Sequence, residues 1–154
     1  MDRSNQISLL NPLLVGVATI LCTIIVHGLI LAMIVNAVRR DLRLGRAGVW
    51  FWTDLAMVTG GMLLALVGHL IEIGLWALAL DFCGRFSNFA AAFYHSAGNY
   101  TTLGDNTVLI SPRWKLLGPL EAANGMLMFG ISTAMIFAVV QRLVQTRFER
   151  SDRP

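Results

Sequence analysis

Six consecutive residues in the second half of the chain carry oxygen atoms of the kind that bind cations. They are Thr101, Thr102, Leu103, Gly104, Asp105 and Asn106. Backbone carbonyls can replace the water shell of an ion, and carboxylates bind hard cations. The preceding residues, 89–100, are rich in alanines and aromatics, which suits a short buried helix whose negative C-terminal half-dipole favours a cation. The pattern predicts cation coordination where this helix passes into extended backbone at Thr101.

Charged residues are scarce and leave long apolar stretches uninterrupted. Only 14% of the 154 residues are charged, against about a quarter in soluble domains. The long charge-free gaps are 4–38, 55–71 and 122–141, each compatible with the roughly 20 residues of a membrane-spanning helix. The composition excludes a soluble enzyme, a disordered tail and a nucleic-acid binder, because the net charge of +3 comes from basic residues that flank apolar runs. No small-molecule substrate is evident.

These gaps predict an all-α membrane protein with three transmembrane helices, at about 9–38, 49–80 and 116–144. A further uncharged stretch, 86–104, contains many polar residues: Ser87, Asn88, His95, Ser96, Asn99, Thr101 and Thr102. Polar irregular backbone at membrane depth is tolerated only inside protein or beside water. We therefore expect a re-entrant hairpin between the second and third spans.

The distribution of lysine and arginine predicts the orientation. Three spans with a hairpin leave eight basic residues on one side, Arg39, Arg40, Arg43, Arg46, Arg142, Arg147, Arg150 and Arg153. Four remain on the other, Arg3, Arg85, Arg113 and Lys115. A fourth span would divide them evenly, so the positive-inside rule favours three. The expected location is the cell membrane, with the N terminus outside and the C terminus cytoplasmic.

The segment Thr101-Thr102-Leu103-Gly104 resembles the selectivity filter of the tetrameric potassium-channel superfamily, whose pattern is T-T-V-G-Y-G-D. Residues 111–117 are similar to that family's turn into the inner helix. Glu121 and Gly125 match its E-x-x-x-G pattern, in which the glycine is a gating hinge. The resemblance covers about residues 50–145.

This resemblance implies a homotetramer in membrane lipid, since each chain supplies one strand of the filter. Its regions would be an extra N-terminal transmembrane helix with a basic cytoplasmic loop at 1–48, a pore domain at 49–147 and a cytoplasmic tail at 148–154. Within the pore domain we expect an outer helix at 49–80, a pore helix at 86–100, a filter at 101–106 and an inner helix at 115–147. Carbonyls of Thr102, Leu103 and Gly104 would coordinate K⁺ or Na⁺, with the Thr102 hydroxyl at the inner entrance.

The filter departs from the family pattern after Gly104. Either Asn106 replaces the second glycine, because asparagine tolerates left-handed dihedrals, or the Tyr-Gly pair is deleted and Asp105 matches the final aspartate. Both alternatives resemble the filters of nonselective sodium/potassium and cyclic-nucleotide-gated channels, and imply weak K⁺ over Na⁺ selectivity. Asp105 is expected to bind Ca²⁺ at the outer mouth, or else to turn behind the filter and shape the loop.

The inner helix is expected to contain the gate. Phe129, Thr133 and Phe137 follow Gly125 at four-residue steps and share one helical face. This pattern suits a cavity above a hydrophobic constriction, where narrowing gates by dewetting. In the alternative, both phenylalanines pack against the second span.

Three ionisable residues are expected to support the filter. His69 and Glu72 are three residues apart on the second span and share a face, where they could bond to the pore helix or to each other. Glu121 either braces the back of the filter or extends to the outer interface. His95 is expected to be a packing residue. No enzymatic activity and no resident cofactor are expected.

Two other functions are considered. His27 and His69 could be axial ligands of a membrane haem. Counting from the span midpoints at about 1.5 Å per residue, however, their depths differ by roughly 10 Å, which argues against it. A non-conducting channel relative that acts as an assembly partner is the other alternative, because the filter is degenerate.

Overall fold

The described part of the chain forms four α-helices. A computed structural model describes residues 9–84, 86–104 and 111–151, and no strand occurs in these ranges. The helices are α1 (Leu10–Arg43), α2 (Phe51–Gly84), α3 (Phe89–Tyr100) and α4 (Leu117–Ser151), with a 3₁₀ turn at Pro112–Trp114 before α4. The predicted all-helical fold is confirmed.

Three of the helices, α1, α2 and α4, are long and apolar enough to cross a membrane. They contain 34, 34 and 35 residues, which corresponds to about 51 Å at 1.5 Å per residue, against a hydrocarbon core of about 30 Å. Each helix therefore continues beyond its apolar stretch, and α1 includes the basic residues up to Arg43. These lengths and compositions fit a multi-pass membrane protein.

The described residues fall into two units. The first comprises the described residues up to Ile25 and those from Leu70 to Met128. Its apolar core is formed by Ile73, Trp76, Leu80, Tyr100, Leu117 and Met128. Polar side chains also join its helices, since Asn124 donates to the Thr23 hydroxyl at 3.0 Å. Such hydrogen bonds hold helices together where lipid gives no hydrophobic driving force.

The second unit comprises Val26–His69 and the described residues from Phe129 onward. Its core contains Ile30, Ile34, Val38, Ala47, Ala65, Val139 and Leu143. At one end, the Asp54 carboxylate accepts the Gly48 backbone N–H at 2.8 Å and binds the Arg147 guanidinium at 2.7 Å. These contacts attach the start of α2 to the α1–α2 connection and to the last turns of α4.

Candidate functional site

The short helix α3 precedes the candidate ion-binding residues. It begins at Phe89 rather than at 86, because the Asn88 side chain caps it by accepting the Ala91 N–H at 2.9 Å. Its buried residues are Ala92, His95, Ser96 and Tyr100. Their spacing of three or four residues places them on one helical face. The expected burial of His95 is confirmed, with 3% of its surface exposed.

The C-terminal end of α3 is closed by the chain's own backbone and one hydroxyl. The Thr101 N–H donates to the Ala97 carbonyl at 3.1 Å, and the Thr102 N–H to Asn99 at 2.9 Å. The Thr101 hydroxyl also donates to Ala97, at 2.7 Å. Extended backbone from Thr101 is therefore a wrong prediction. Residues 101 and 102 form a turn, because the last helical carbonyls need donors.

Backbone conformation beyond this turn is unusual at two residues. Gly104 has a φ of +72° and Thr102 a φ of +64°. Glycine adopts this left-handed region freely, whereas a β-branched residue there is strained by about 1–3 kcal/mol. Such outliers concentrate at functional sites. Asp105 and Asn106, the other two candidate ion-binding residues, lie outside the described residues.

Tyr100 and Glu72 form a buried polar pair in the first unit. The Tyr100 hydroxyl donates to the Glu72 carboxylate, and neither residue has any exposed surface. Burial, and then the bond to this carboxylate, raise the pKa of the Tyr100 phenol above its ordinary range, so the phenol remains a donor. Glu72 thus bonds to α3, one of the two partners expected for it.

Ser96 and Glu121 form a second buried polar pair. The Ser96 hydroxyl contacts the Glu121 carboxylate and also lies 2.9 Å from the Ile73 carbonyl. Glu121 is fully buried, so the alternative in which it extends to the interface is wrong. Three helices, α2, α3 and α4, meet at this serine. An intramolecular hydrogen bond contributes about 0.5–1.5 kcal/mol, so these contacts help to hold α3 against α2 and α4.

Gly125 lies against the last residue of α3. A Cβ atom at Gly125 would lie 2.1 Å from the Tyr100 carbonyl oxygen and 3.0 Å from its carbonyl carbon. Carbon atoms at optimal separation are about 3.5–4.0 Å apart, so no side chain fits. The close approach of α3 to α4 thus gives a reason for glycine here besides the expected hinge.

The other candidate gate residues belong to the second unit. The Phe129 ring packs on the His69 ring, with centroids 4.4 Å apart, so this phenylalanine contacts the second span as the alternative expected. The Thr133 hydroxyl donates to the Phe129 carbonyl at 2.8 Å. Phe137 is 61% exposed. Their role in gating stays a prediction.

Two histidines and a serine come together in the second unit, a cluster that the sequence reasoning missed. The His27 and His69 rings have centroids 5.5 Å apart, and the Ser132 hydroxyl lies 3.4 Å and 3.1 Å from their Nε2 atoms. The expected 10 Å difference in depth is therefore wrong. The long helices extend beyond the membrane core, so their midpoints need not lie at equal depth.

Counting from the α1–α2 connection would have found this cluster. His27 lies 16 residues before the end of α1, and His69 lies 18 residues after the start of α2. At 1.5 Å per residue, these distances differ by about 3 Å. The haem alternative still fails on space, because axial imidazoles lie on opposite faces of a porphyrin and here one hydroxyl is within 3.4 Å of both Nε2 atoms.

No family model, curated protein or solved structure matches this chain.

Proposed function

We propose that this chain is the subunit of a homotetrameric cation channel that conducts K⁺ and Na⁺ with weak selectivity. The observation that carries the proposal is the short, capped helix α3, which is buried along one face, is followed directly by Thr101–Gly104 and lies in the sequence between two long apolar helices. A helix C terminus followed by free carbonyls is suited to cation coordination. In this proposal α3 is the re-entrant pore helix, and residues 101–106 are the filter.

The contacts around α3 support a rigidly held filter. Selectivity depends on coordinating atoms at close quarters, so the helix that carries them should be fixed in place. Here Tyr100 bonds to Glu72, and Ser96 bonds to both α2 and α4. Support of the filter by His69 stays a prediction.

The closed end of α3 limits which atoms can bind the ion. The carbonyls of Ala97, Gly98 and Asn99 already accept hydrogen bonds from Thr101, Gly104 and Thr102. The carbonyls of Thr102, Leu103 and Gly104 are therefore the proposed ligands. The Leu103 side chain is 86% exposed, which suits a segment that meets three copies of itself around a pore axis.

Four chains are needed, because one chain supplies one strand of ligands. Large apolar side chains remain exposed along α1, including Leu14, Leu21, Ile25, Leu29 and Met33. These side chains suit contact with lipid or with a neighbouring subunit. We place the N terminus outside the cell membrane and the C terminus in the cytoplasm, from the basic residues of the α1–α2 connection and the C-terminal tail.

The proposal is tested by reversal potentials of the purified protein in liposomes under opposed K⁺ and Na⁺ gradients. We expect cation currents that reverse close to zero. Reversal at the K⁺ equilibrium potential would contradict weak selectivity and favour the alternative of a potassium-selective channel. Absence of any cation flux would overturn conduction and favour the non-conducting assembly partner.

A matched pair of glycine variants makes this test specific. Gly104→Ala places a Cβ on a residue with φ +72° at the proposed filter, so it should abolish or greatly reduce flux. Gly130→Ala adds the same methyl group to α4 with no atom within 4 Å and should leave flux unchanged. Equal flux from both variants would contradict the assignment of the filter.

The gate has its own test. We place a hydrophobic constriction at Phe137, whose side chain is 61% exposed in a single chain and would face the pore in a tetramer. Phe137→Ala should raise basal conductance, because a wider and less apolar constriction is harder to dewet. Unchanged open probability in single-channel recordings would count against this position.

A further inference from the structure

We propose that His27, His69 and Ser132 form a binding site for a divalent transition-metal ion such as Zn²⁺. The three residues come from α1, α2 and α4 of the second unit. All three are buried, with 3%, 5% and 8% of their surface exposed. Imidazole nitrogens are preferred ligands of Zn²⁺, Cu²⁺ and Ni²⁺, whereas Mg²⁺ and Ca²⁺ prefer oxygen.

The separations between the donor atoms fit a tetrahedral ion. With metal–ligand bonds of about 2.0–2.2 Å, neighbouring donors around Zn²⁺ lie about 3.3–3.6 Å apart. The Ser132 hydroxyl lies 3.4 Å from Nε2 of His27 and 3.1 Å from Nε2 of His69. Two edges of the donor triangle thus already have nearly the required length.

The third edge needs only a small adjustment. Ligand nitrogens of His27 and His69 lie within 4.8 Å of each other. Two imidazoles on one tetrahedral Zn²⁺ have ring centroids about 5 Å apart, and the observed separation is 5.5 Å with the rings tilted by 44°. Closing the nitrogens from at most 4.8 Å to about 3.3 Å is an adjustment that ring rotation can supply.

An adjoining cleft gives access to the fourth coordination position. The cleft has a volume of about 270 Å³, and His69, Ser132 and Thr133 contribute to its wall. Three protein donors leave one tetrahedral position for an exchangeable ligand, such as water, hydroxide or chloride, that enters from the cleft. Three protein ligands and one exchangeable ligand match the ligand count of an open zinc site.

A bound ion would tie α4 to α1 and α2 through Ser132. If the proposed channel is correct, Zn²⁺ should then reduce its flux, because opening requires α4 to move relative to the other helices. This clause rests on the proposed function, whereas the metal site itself does not. Binding and flux are therefore measured separately.

Binding is tested with Co²⁺ and the untagged protein in detergent. Tetrahedral Co²⁺ gives intense visible d–d absorption, so the titration reports both stoichiometry and geometry. We expect one saturable Co²⁺ per chain that Zn²⁺ displaces. His27→Ala and His69→Ala should each weaken binding by about tenfold or more, since even outer-shell changes cost 10–100-fold. Ser132→Ala should weaken it less, since both imidazoles remain.

The third histidine of the chain, His95, provides the control. It lies on α3 in the first unit, so His95→Gln should bind Co²⁺ like the wild type. Binding that survives in His27→Ala and His69→Ala, or is lost only in His95→Gln, would overturn the site. Should the alanine variants fail to fold, X-ray absorption of the Zn²⁺-loaded wild type decides, because a shell without two imidazoles refutes the assignment.

The two proposals can fail independently. Co²⁺ binding without cation flux in liposomes would leave the metal site intact and overturn the channel. Flux without a saturable Co²⁺ site would do the reverse. Zn²⁺ inhibition that is equal in the wild type and in His69→Ala would show that the ion acts elsewhere, which overturns the regulatory clause.

Discussion

Gly125→Ala should destabilise the protein, although alanine is the better helix former. In the interior of a helix, alanine is favoured over glycine by about 1 kcal/mol. Against this gain, the new Cβ would lie 2.1 Å from the Tyr100 carbonyl oxygen. The obstacle is backbone and not the end of a flexible side chain. Relief therefore requires α3 to move away from α4 by about 1 Å or more, judged against a normal carbon contact of about 3.5 Å.

The size of the effect follows from what α3 would lose. Overpacking of this kind costs about 1–3 kcal/mol. Movement of α3 also strains its bonds from Ser96 and Tyr100, whose weakening costs about 1 kcal/mol more. After subtraction of the helix-propensity gain, we expect a net loss of about 1–3 kcal/mol. A loss of 1 kcal/mol lowers the melting temperature by roughly 2–4 °C in a chain of this size.

The assay is thermal unfolding in detergent, followed by the helical circular dichroism signal, with Gly130→Ala as the matched control. Gly130 lies on the same helix with no atom within 4 Å of its added Cβ, so alanine should leave stability unchanged or raise it by up to about 1 kcal/mol. If Gly125→Ala is as stable as Gly130→Ala, the close approach of α3 is not what selects glycine. Equal stability of the two variants is what we expect if Gly125 serves only as a hinge. In that case Gly125→Ala would change the opening of the proposed channel without destabilising the protein.

Three further predictions concern the proposed filter and its support. Tyr100→Phe removes a buried donor to Glu72 and should cost about 1–3 kcal/mol at neutral pH. Because folding raises the pKa of this phenol, the stability that it contributes is present below about pH 10 and is lost at higher pH. A pH series of unfolding curves should therefore show a smaller loss of stability at alkaline pH for Tyr100→Phe than for the wild type. Thr102→Gly should raise the melting temperature by relieving the strain of φ +64°, and Leu103→Gly should not. If the proposed channel is correct, Asp105→Asn should weaken external Ca²⁺ block in recordings while tetramers remain intact, because a ring of four carboxylates attracts divalent cations more than monovalent ones. Block that survives in this variant would refute the charge ring.

The long helices were predictable, because long stretches without charge and with high hydropathy indicate membrane-spanning segments. The residues at which these helices end were not predictable. The gap in charges placed the first span at 9–38, and α1 continues to Arg43. A helix can continue through arginines into water after its apolar segment has ended. The first charged residue therefore marks the end of the apolar segment and not the end of the helix. For α3 the useful signal was Asn88, a preferred N-cap residue, which the prediction of a start at 86 overlooked.

The buried polar pairs were only partly predictable. The sequence indicates that Glu72 and Glu121 are unusual, because ionisable groups within membrane spans are rare and functional. It does not indicate that they accept from Tyr100 and Ser96, which are 28 and 25 residues away. These partners depend on the rotation of each helix about its axis, and α2 gives little periodic signal for that rotation because it is apolar on all sides.

The conformation of residues 101–104 has a consequence for assembly. In a single chain, Thr102 occupies a left-handed conformation that costs about 1–3 kcal/mol, while Leu103 is 86% exposed. The strained backbone and the exposed leucine both raise the free energy of this segment in a single chain. Contacts among four such segments around one axis, and with a bound cation, would lower it. If the proposed channel is correct, ion binding and tetramer formation should therefore stabilise one another, because each supplies contacts that this segment lacks in one chain. Tetramers should then dissociate at a higher temperature in K⁺ than in the large cation N-methyl-D-glucamine, and the difference should vanish in Gly104→Ala.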